Sequence, residues 1–93
     1  MIRTVRDKRI ASVRSGEGTK GFPADLMNRA QRRLAQLDAA ADLSDLKVPP
    51  SNQLEALKGD RNGQHSIRIN QQWRLCFVWK DGDAFDVEIV DYH

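Results

Sequence analysis

At Val48-Pro49-Pro50 the apolar pattern of this chain changes its period. Before these residues, Met27, Ala30, Leu34, Leu37 and Ala41 recur at spacings of three and four, and Leu26 flanks the same stripe. That spacing predicts a helix over 23–41. After them, apolar residues recur at every second position, the period of a strand. A helix cannot cross the two prolines, because each lacks an N–H donor and restricts the residue before it. The chain is therefore expected to be helical first and β afterwards. A sheet with helices packed on one face buries both parts economically.

Pro23 suits the first turn of the predicted helix, and Asp25 suits the positive end of its dipole. Upstream, residues 2–5 read as a short first strand, and residues 6–14, with Ile10 and Val13, as a short helix. Between them and the long helix, 15–21 holds three glycines and no apolar side chain, which reads as a loop. Leu43 to Leu46 has room for one more helical turn. In the β half, strands are expected over 53–57, 64–70, 73–80 and 84–92. The run Gly59-Asp60-Arg61-Asn62-Gly63 marks one turn, and Asp81-Gly82 a tight hairpin. The expected architecture is α+β in the order β-α-α-β-β-β-β. Alternation puts Trp73, Leu75, Phe77 and Trp79 on the face that meets Met27, Leu34 and Leu37. It also turns Phe85, Val87 and Ile89 to the core and leaves Arg74 on the opposite, open face.

Ninety-three residues suffice for one domain, 1–93. Hydrophobic residues are 40% and charged residues 30%, as in a folded soluble domain rather than a disordered one. No apolar run approaches the ~20 residues of a membrane span, and the N-terminus lacks the apolar stretch of a signal peptide. Cys76 is the one cysteine, so an internal disulfide and a multi-cysteine zinc site are both excluded. A cytoplasmic location is the default expectation. Charge is unevenly spread. Residues 1–33 hold nine Lys/Arg against three Asp/Glu, whereas residues 34–93 hold six against ten. A basic third of this kind fits either a polyanionic partner or a solvated helix face.

No phosphate-cradling glycine loop, Ser-His-Asp order or metal-ligand spacing is present, so no metal and no cofactor is expected. The polar groups of the β half remain: Glu55, Lys58, Arg61, Arg68, Arg74, Asp91, Tyr92 and His93. A proton acceptor, a proton donor and several cations around one phosphate suit RNA cleavage by 2′-OH attack. His65, in phase with Ile67 and Ile69, reads as a partly buried histidine with its bonds satisfied. Cys76, Trp73 and Trp79 read as packing residues. Tyr92 shares the face of Arg74 and is the stacking candidate.

Leu57-Lys58-Gly59-Asp60-Arg61, Gly63-x-x-Ser66-Ile67, Gln72-Trp73-Arg74-Leu75 and the terminal Asp91-Tyr92-His93 resemble the HigB toxins, the plasmid maintenance killer branch of the RelE/ParE superfamily. The resemblance runs through nearly the whole chain and is loosest over the first twenty residues. It implies a small RelE-like fold with a twisted, largely antiparallel sheet. It implies a type II toxin that cuts mRNA in the A site of the 70S ribosome, without a metal. It also implies a HigA-like helix-turn-helix antitoxin, through which alone the toxin would meet operator DNA. Arg74 would contact the scissile phosphate, with Lys58, Asp91, Tyr92 and His93 in the same site. Where the best-known HigB site has a histidine three residues before the lysine, this chain has Glu55. Glu55-Ala56-Leu57-Lys58 is similar instead to the YoeB type, which suggests Glu55 as general base and His93 as general acid. Arg61 and Arg68 are expected to contact backbone phosphate or ribosomal RNA rather than to catalyse. Arg29, Arg32 and Arg33 are expected to bind ribosomal RNA, away from the catalytic strands. The alternative is a ParE-like, non-catalytic toxin that binds DNA gyrase. The set Glu55, Lys58, Arg74 and His93 favours the nuclease.

Overall fold

The computed structural model describes residues 1–92, so His93 lies outside the described residues. Helix α1 spans Arg9–Ser15 and helix α2 spans Met27–Ala39. One 3-10 turn, Ala24–Leu26, precedes α2, so the predicted helix over 23–41 is divided near Met27. Short 3-10 turns at Leu43–Lys47 and Pro50–Asn52 carry the chain to the sheet. Strands β1 (Glu55–Ala56), β2 (Gln64–Arg68), β3 (Trp73–Lys80) and β4 (Asp83–Asp91) form an antiparallel meander in that order. The α+β architecture with helices on one face of the sheet is as expected.

Two expectations change at one place in β4. Between the pairs Cys76–Glu88 and Val78–Phe85, β3 has one residue and β4 has two. This is a β-bulge, and Asp86 takes the left-handed conformation at φ 53°. A bulge reverses the alternation on one side of itself. Ala84, Val87 and Ile89 therefore face the helices and are buried. Phe85, expected in the core, is instead the partner of Val78 on the other face and is only partly buried. The bulge also shapes the N-terminus. Residues 2–5 make two isolated parallel bridges to β4, Ile2–Ala84 and Val5–Val87, rather than a regular strand. Thr4 Oγ1 accepts the Asp86 N–H at 2.8 Å between them.

The core joins Ile10 and Val13 of α1 and Ala30, Leu34 and Leu37 of α2 to Ile67, Leu75, Phe77, Val87 and Ile89 of the sheet. Trp73 is buried edge-on to Phe22, with ring centroids 5.1 Å apart, whereas Trp79 is only partly buried. Where α1 meets β4, Asp7 accepts from the Arg9 guanidinium at 2.9–3.2 Å and from the backbone N–H of Ile89 at 3.1 Å. Arg9 in turn donates to the Ile89 carbonyl and lies over the Trp73 ring. Burial alone would push the Asp7 carboxyl up. The bonds from Arg9 and from the Arg9 and Ile89 amides outweigh it and hold the group below its ordinary value. A depressed folded-state pKa adds stability above the unfolded value of ~3.9, lost as pH falls through the folded value. Asp7→Asn should therefore cost about 1–3 kcal/mol at neutral pH and flatten the acid limb of stability below pH ~4. Thermal melts between neutral and acid pH test this. A variant whose curve parallels the parent's would remove Asp7 from the acid limb.

Asn52 is fully buried and donates from Nδ2 to Gln36 Oε1 (3.1 Å), to the Leu46 carbonyl (3.2 Å) and to the Val48 carbonyl (3.4 Å). One side chain thus ties the linker to α2. The next residue, Gln53, is left-handed at φ 45°, which turns the chain onto the open face of the sheet.

Candidate functional site

Two rows of side chains cross the sheet face opposite the helices. One runs Glu55, Ser66, Cys76, Glu88 and the next runs Arg68, Arg74, Val90, each residue being the register partner of the one before. Arg68 and Arg74 are directly opposed, and like charges so placed repel. The Arg74 fork is held by residues of the neighbouring row and of the linker. Its Nε donates to Ser66 Oγ at 2.8 Å and its Nη2 to the Gln53 carbonyl. The Glu55 carboxylate lies 3.8 Å from Nη2. The Tyr92 ring stands 6.0 Å from the guanidinium carbon.

Arg74 lies on the expected face, but that face is not open at this point. Arg74 is 8% exposed, because Gln53 and Tyr92 close over it from either side. Among the described residues its bonds engage Nε and Nη2, so Nη1 is the edge of the fork available to an anion. A shallow cleft of about 370 Å³ lies above it, lined by Gln53, Glu55, Arg68, Asn70, Gln71, Arg74 and Tyr92. The cleft can grip one phosphate with fixed cations and present one carboxylate to it.

Tyr92 is half-buried, its hydroxyl 3.7 Å from Cys76 Sγ. Burial first, and then the Cys76 contact, pushes the phenol up, so it stays protonated at neutral pH. Burial likewise pushes the Cys76 thiol up. Arg61 donates to Glu88 and, at 3.1 Å, to Gln64 Oε1. The bond to Glu88 pushes the Arg61 guanidinium up and compensates that carboxylate's charge on the cleft's face of the sheet.

Of the residues expected to form the site, Glu55, Arg68, Arg74 and Tyr92 come together around the cleft. Lys58 is exposed at the start of the Gly59–Arg61 turn and does not line it. Asp91 is the register partner of Trp73, hence on the helix-side parity of β4, and does not line it either. Arg61 is engaged with Glu88. His93 lies outside the described residues. Arg29, Arg32 and Arg33 were expected away from the catalytic strands. They instead line a neighbouring cleft together with Arg68, and Arg33 Nε donates to the Arg68 carbonyl at 2.8 Å. His65 stacks on Phe77, but its Nδ1 has no hydrogen-bond partner among the described residues, so packing rather than bonding holds it.

Ser66, Gln53, Asn70 and Gln71 were missed by sequence reasoning. Ser66 had a signal, being a small hydroxyl on the Arg68 side of β2 and so a cross-strand neighbour of Arg74. Gln53 had none, since it acts through its carbonyl. Among the described residues no group of three or more His, Cys, Asp or Glu side chains is placed to hold a metal ion. No helix of the described residues is long and apolar enough to cross a membrane.

Residues 4–93 match the family model described as the RelE-like toxin of type II toxin-antitoxin system HigB. The chain is 33% identical over 93 residues to the endoribonuclease HigB of Proteus vulgaris, covering 100% of both chains. It is 47% identical over 65 residues to toxin HigB-1 of Vibrio cholerae, covering 70% of this chain and 68% of that one. In fold it is similar to a chain of the YoeB-YefM complex from Staphylococcus aureus. The TM-score is 0.57 and the identity 16%, over 100% of this chain and 98% of the other.

Proposed function

The chain belongs to the HigB-like toxins of type II toxin-antitoxin systems, and from that membership we propose that it is a ribosome-dependent endoribonuclease that cuts mRNA in the A site. The observation that carries this reading is the clamp on Arg74. A guanidinium fixed by Ser66 and Gln53 needs no reorganisation when negative charge develops beside it.

In the proposed reaction the 2′-OH of the RNA attacks the adjacent phosphorus, and the P–O5′ bond breaks. Glu55 takes the proton of the 2′-OH. Its carboxylate is just over half exposed, within reach of substrate, and 3.8 Å from Arg74. Arg74 holds the equatorial oxygens, with Arg68 beside it. His93 protonates the departing 5′-oxygen, and Asp91 serves the same terminal group. Tyr92 offers the ring for base stacking. Lys58 and Arg61 contact flanking phosphates. The products are a 2′,3′-cyclic phosphate and a 5′-hydroxyl, and the RNA supplies its own nucleophile, so no cofactor is required. A cognate HigA-like antitoxin holds the toxin inactive in the cytoplasm and carries it to operator DNA.

Primer-extension mapping of mRNA on purified 70S ribosomes tests the reading. Cuts within the A-site codon that leave cyclic phosphates, and that vanish when His93 is deleted, are the expected result. Products with 5′-phosphates would overturn the mechanism. Intact mRNA together with loss of gyrase supercoiling would overturn the nuclease reading.

A further inference from the structure

The ten arginines of this chain divide in two by their partners. Arg3, Arg6, Arg9, Arg14, Arg61 and Arg74 each have a carboxylate within 4.0 Å. Arg29, Arg32, Arg33 and Arg68 have none among the described residues, and all four line one cleft of about 550 Å³. Chance exposure would scatter unpaired arginines over the surface rather than gather them in one hollow. The gathering has a cost. Burial first, and then Arg32 and Arg29, pushes the Arg33 guanidinium down from its ordinary value. The cluster is also built rather than loose, since Arg33 is half-buried and anchored on the Arg68 carbonyl. The rest of the wall carries no acidic residue to neutralise it. Such a hollow is complementary to a polyanion.

What sets the occupant is adjacency to the Arg74 cleft. Arg68 and Asn70 line both hollows, so the two share a wall. Resting on the nuclease reading above, we propose that the arginine cleft is a second phosphate subsite for the same single RNA strand whose scissile phosphate lies at Arg74. A chain with a phosphate at every residue can occupy both hollows at once. Contacts to phosphate position a strand without reading its sequence, so this subsite adds affinity and register rather than codon preference.

The test uses the full chain and oligonucleotides made uncleavable by a 2′-deoxy sugar at the cut site. Binding of a dinucleotide and of an oligonucleotide of about ten nucleotides is measured across a salt series for the parent and for the double variant Arg29→Gln/Arg32→Gln. The longer strand should bind the parent more tightly. The double variant should lose roughly ten-fold in affinity for the longer strand, and its salt slope should shrink by about 1.4, two charges at ~0.7 each. Its affinity for the dinucleotide should not change. Equal affinity of the parent for both lengths, or an equal loss for both in the variant, would overturn the proposal. So would unchanged RNA binding combined with weaker association with empty ribosomes, or with a HigA-like antitoxin, which would give the cleft to ribosomal RNA or to an acidic protein surface. Because cutting is not read, these outcomes are separate from failure of the nuclease reading, which would appear as intact mRNA on ribosomes.

Discussion

Arg74→Ala should lower single-turnover cleavage on ribosomes by on the order of 10²–10³, the usual cost of one lost donor to a developing oxyanion. The fold makes this change costly in a second way. On an open face, alanine would leave stability untouched. Here it strips the Gln53 carbonyl and the buried Ser66 hydroxyl of their donor, and such losses cost about 1–3 kcal/mol. Arg74→Lys and Ser66→Ala separate the two effects. Lysine keeps the charge but cannot bond Ser66, Gln53 and a phosphate together, because it lacks the planar fork. It should melt closer to the parent than alanine does and still cut far more slowly. Ser66→Ala keeps the guanidinium but frees Nε, and should cost roughly ten-fold in rate as the fork loses one anchor. Cleavage rates and melting curves on all three variants decide the matter. A folded Arg74→Ala protein that cuts at the parent rate would exclude Arg74 from the chemistry. A Ser66→Ala protein of parent rate would exclude the clamp.

Asn52→Asp should be strongly destabilising although it is isosteric. The Nδ2 of Asn52 faces three oxygens, those of Gln36, Leu46 and Val48, and is fully buried. A carboxylate there would face oxygens with no donor of its own, and an uncompensated buried charge costs about 3–5 kcal/mol. That is a large share of the ~5–15 kcal/mol that holds a small domain together. The new carboxyl would have a folded-state pKa raised above the unfolded ~3.9. Its penalty is therefore absent below pH ~4, grows as pH rises, and is complete above the folded value. The difference in melting temperature between parent and variant should widen from acid to neutral pH. A pH-independent difference would show that the lost Nδ2 hydrogen bonds, not charge, are responsible. Because Gln53 follows directly and its carbonyl holds Arg74, the variant should also cut more slowly under conditions where it remains folded.

Local pattern accounts for most of the architecture. The three- and four-residue spacing of Met27, Ala30, Leu34 and Leu37 makes α2, and the strict alternation of Trp73 to Lys80 makes β3 with the stated boundaries. The Asp81-Gly82 pair makes the hairpin that joins β3 to β4, and both residues have positive φ there. Each of these needs only neighbours within a few positions. The same reasoning put Tyr92 on the face of Arg74, because parity along a strand is a local property, whereas the meeting of Glu55 and Arg68 with them came from the register between strands.

Whatever depended on two distant segments meeting was not legible. Nothing between Asp83 and Asp91 announces the bulge at Asp86, since the extra residue is accommodated by Thr4, far away in the chain. With it went the direction of Phe85. The burial of Arg74 is a long-range fact as well, resting on a carbonyl twenty-one residues away, next to the Asn52 that ties the linker to α2. The same holds for the arginines of α2, whose exposure was readable but whose meeting with Arg68 was not. Period, parity and turn chemistry are written in short stretches of residues, and these determined the elements and their faces. Which cations are paired, which are left free, and how far each is withdrawn from water depend on packing between segments, and only the tertiary structure decided them.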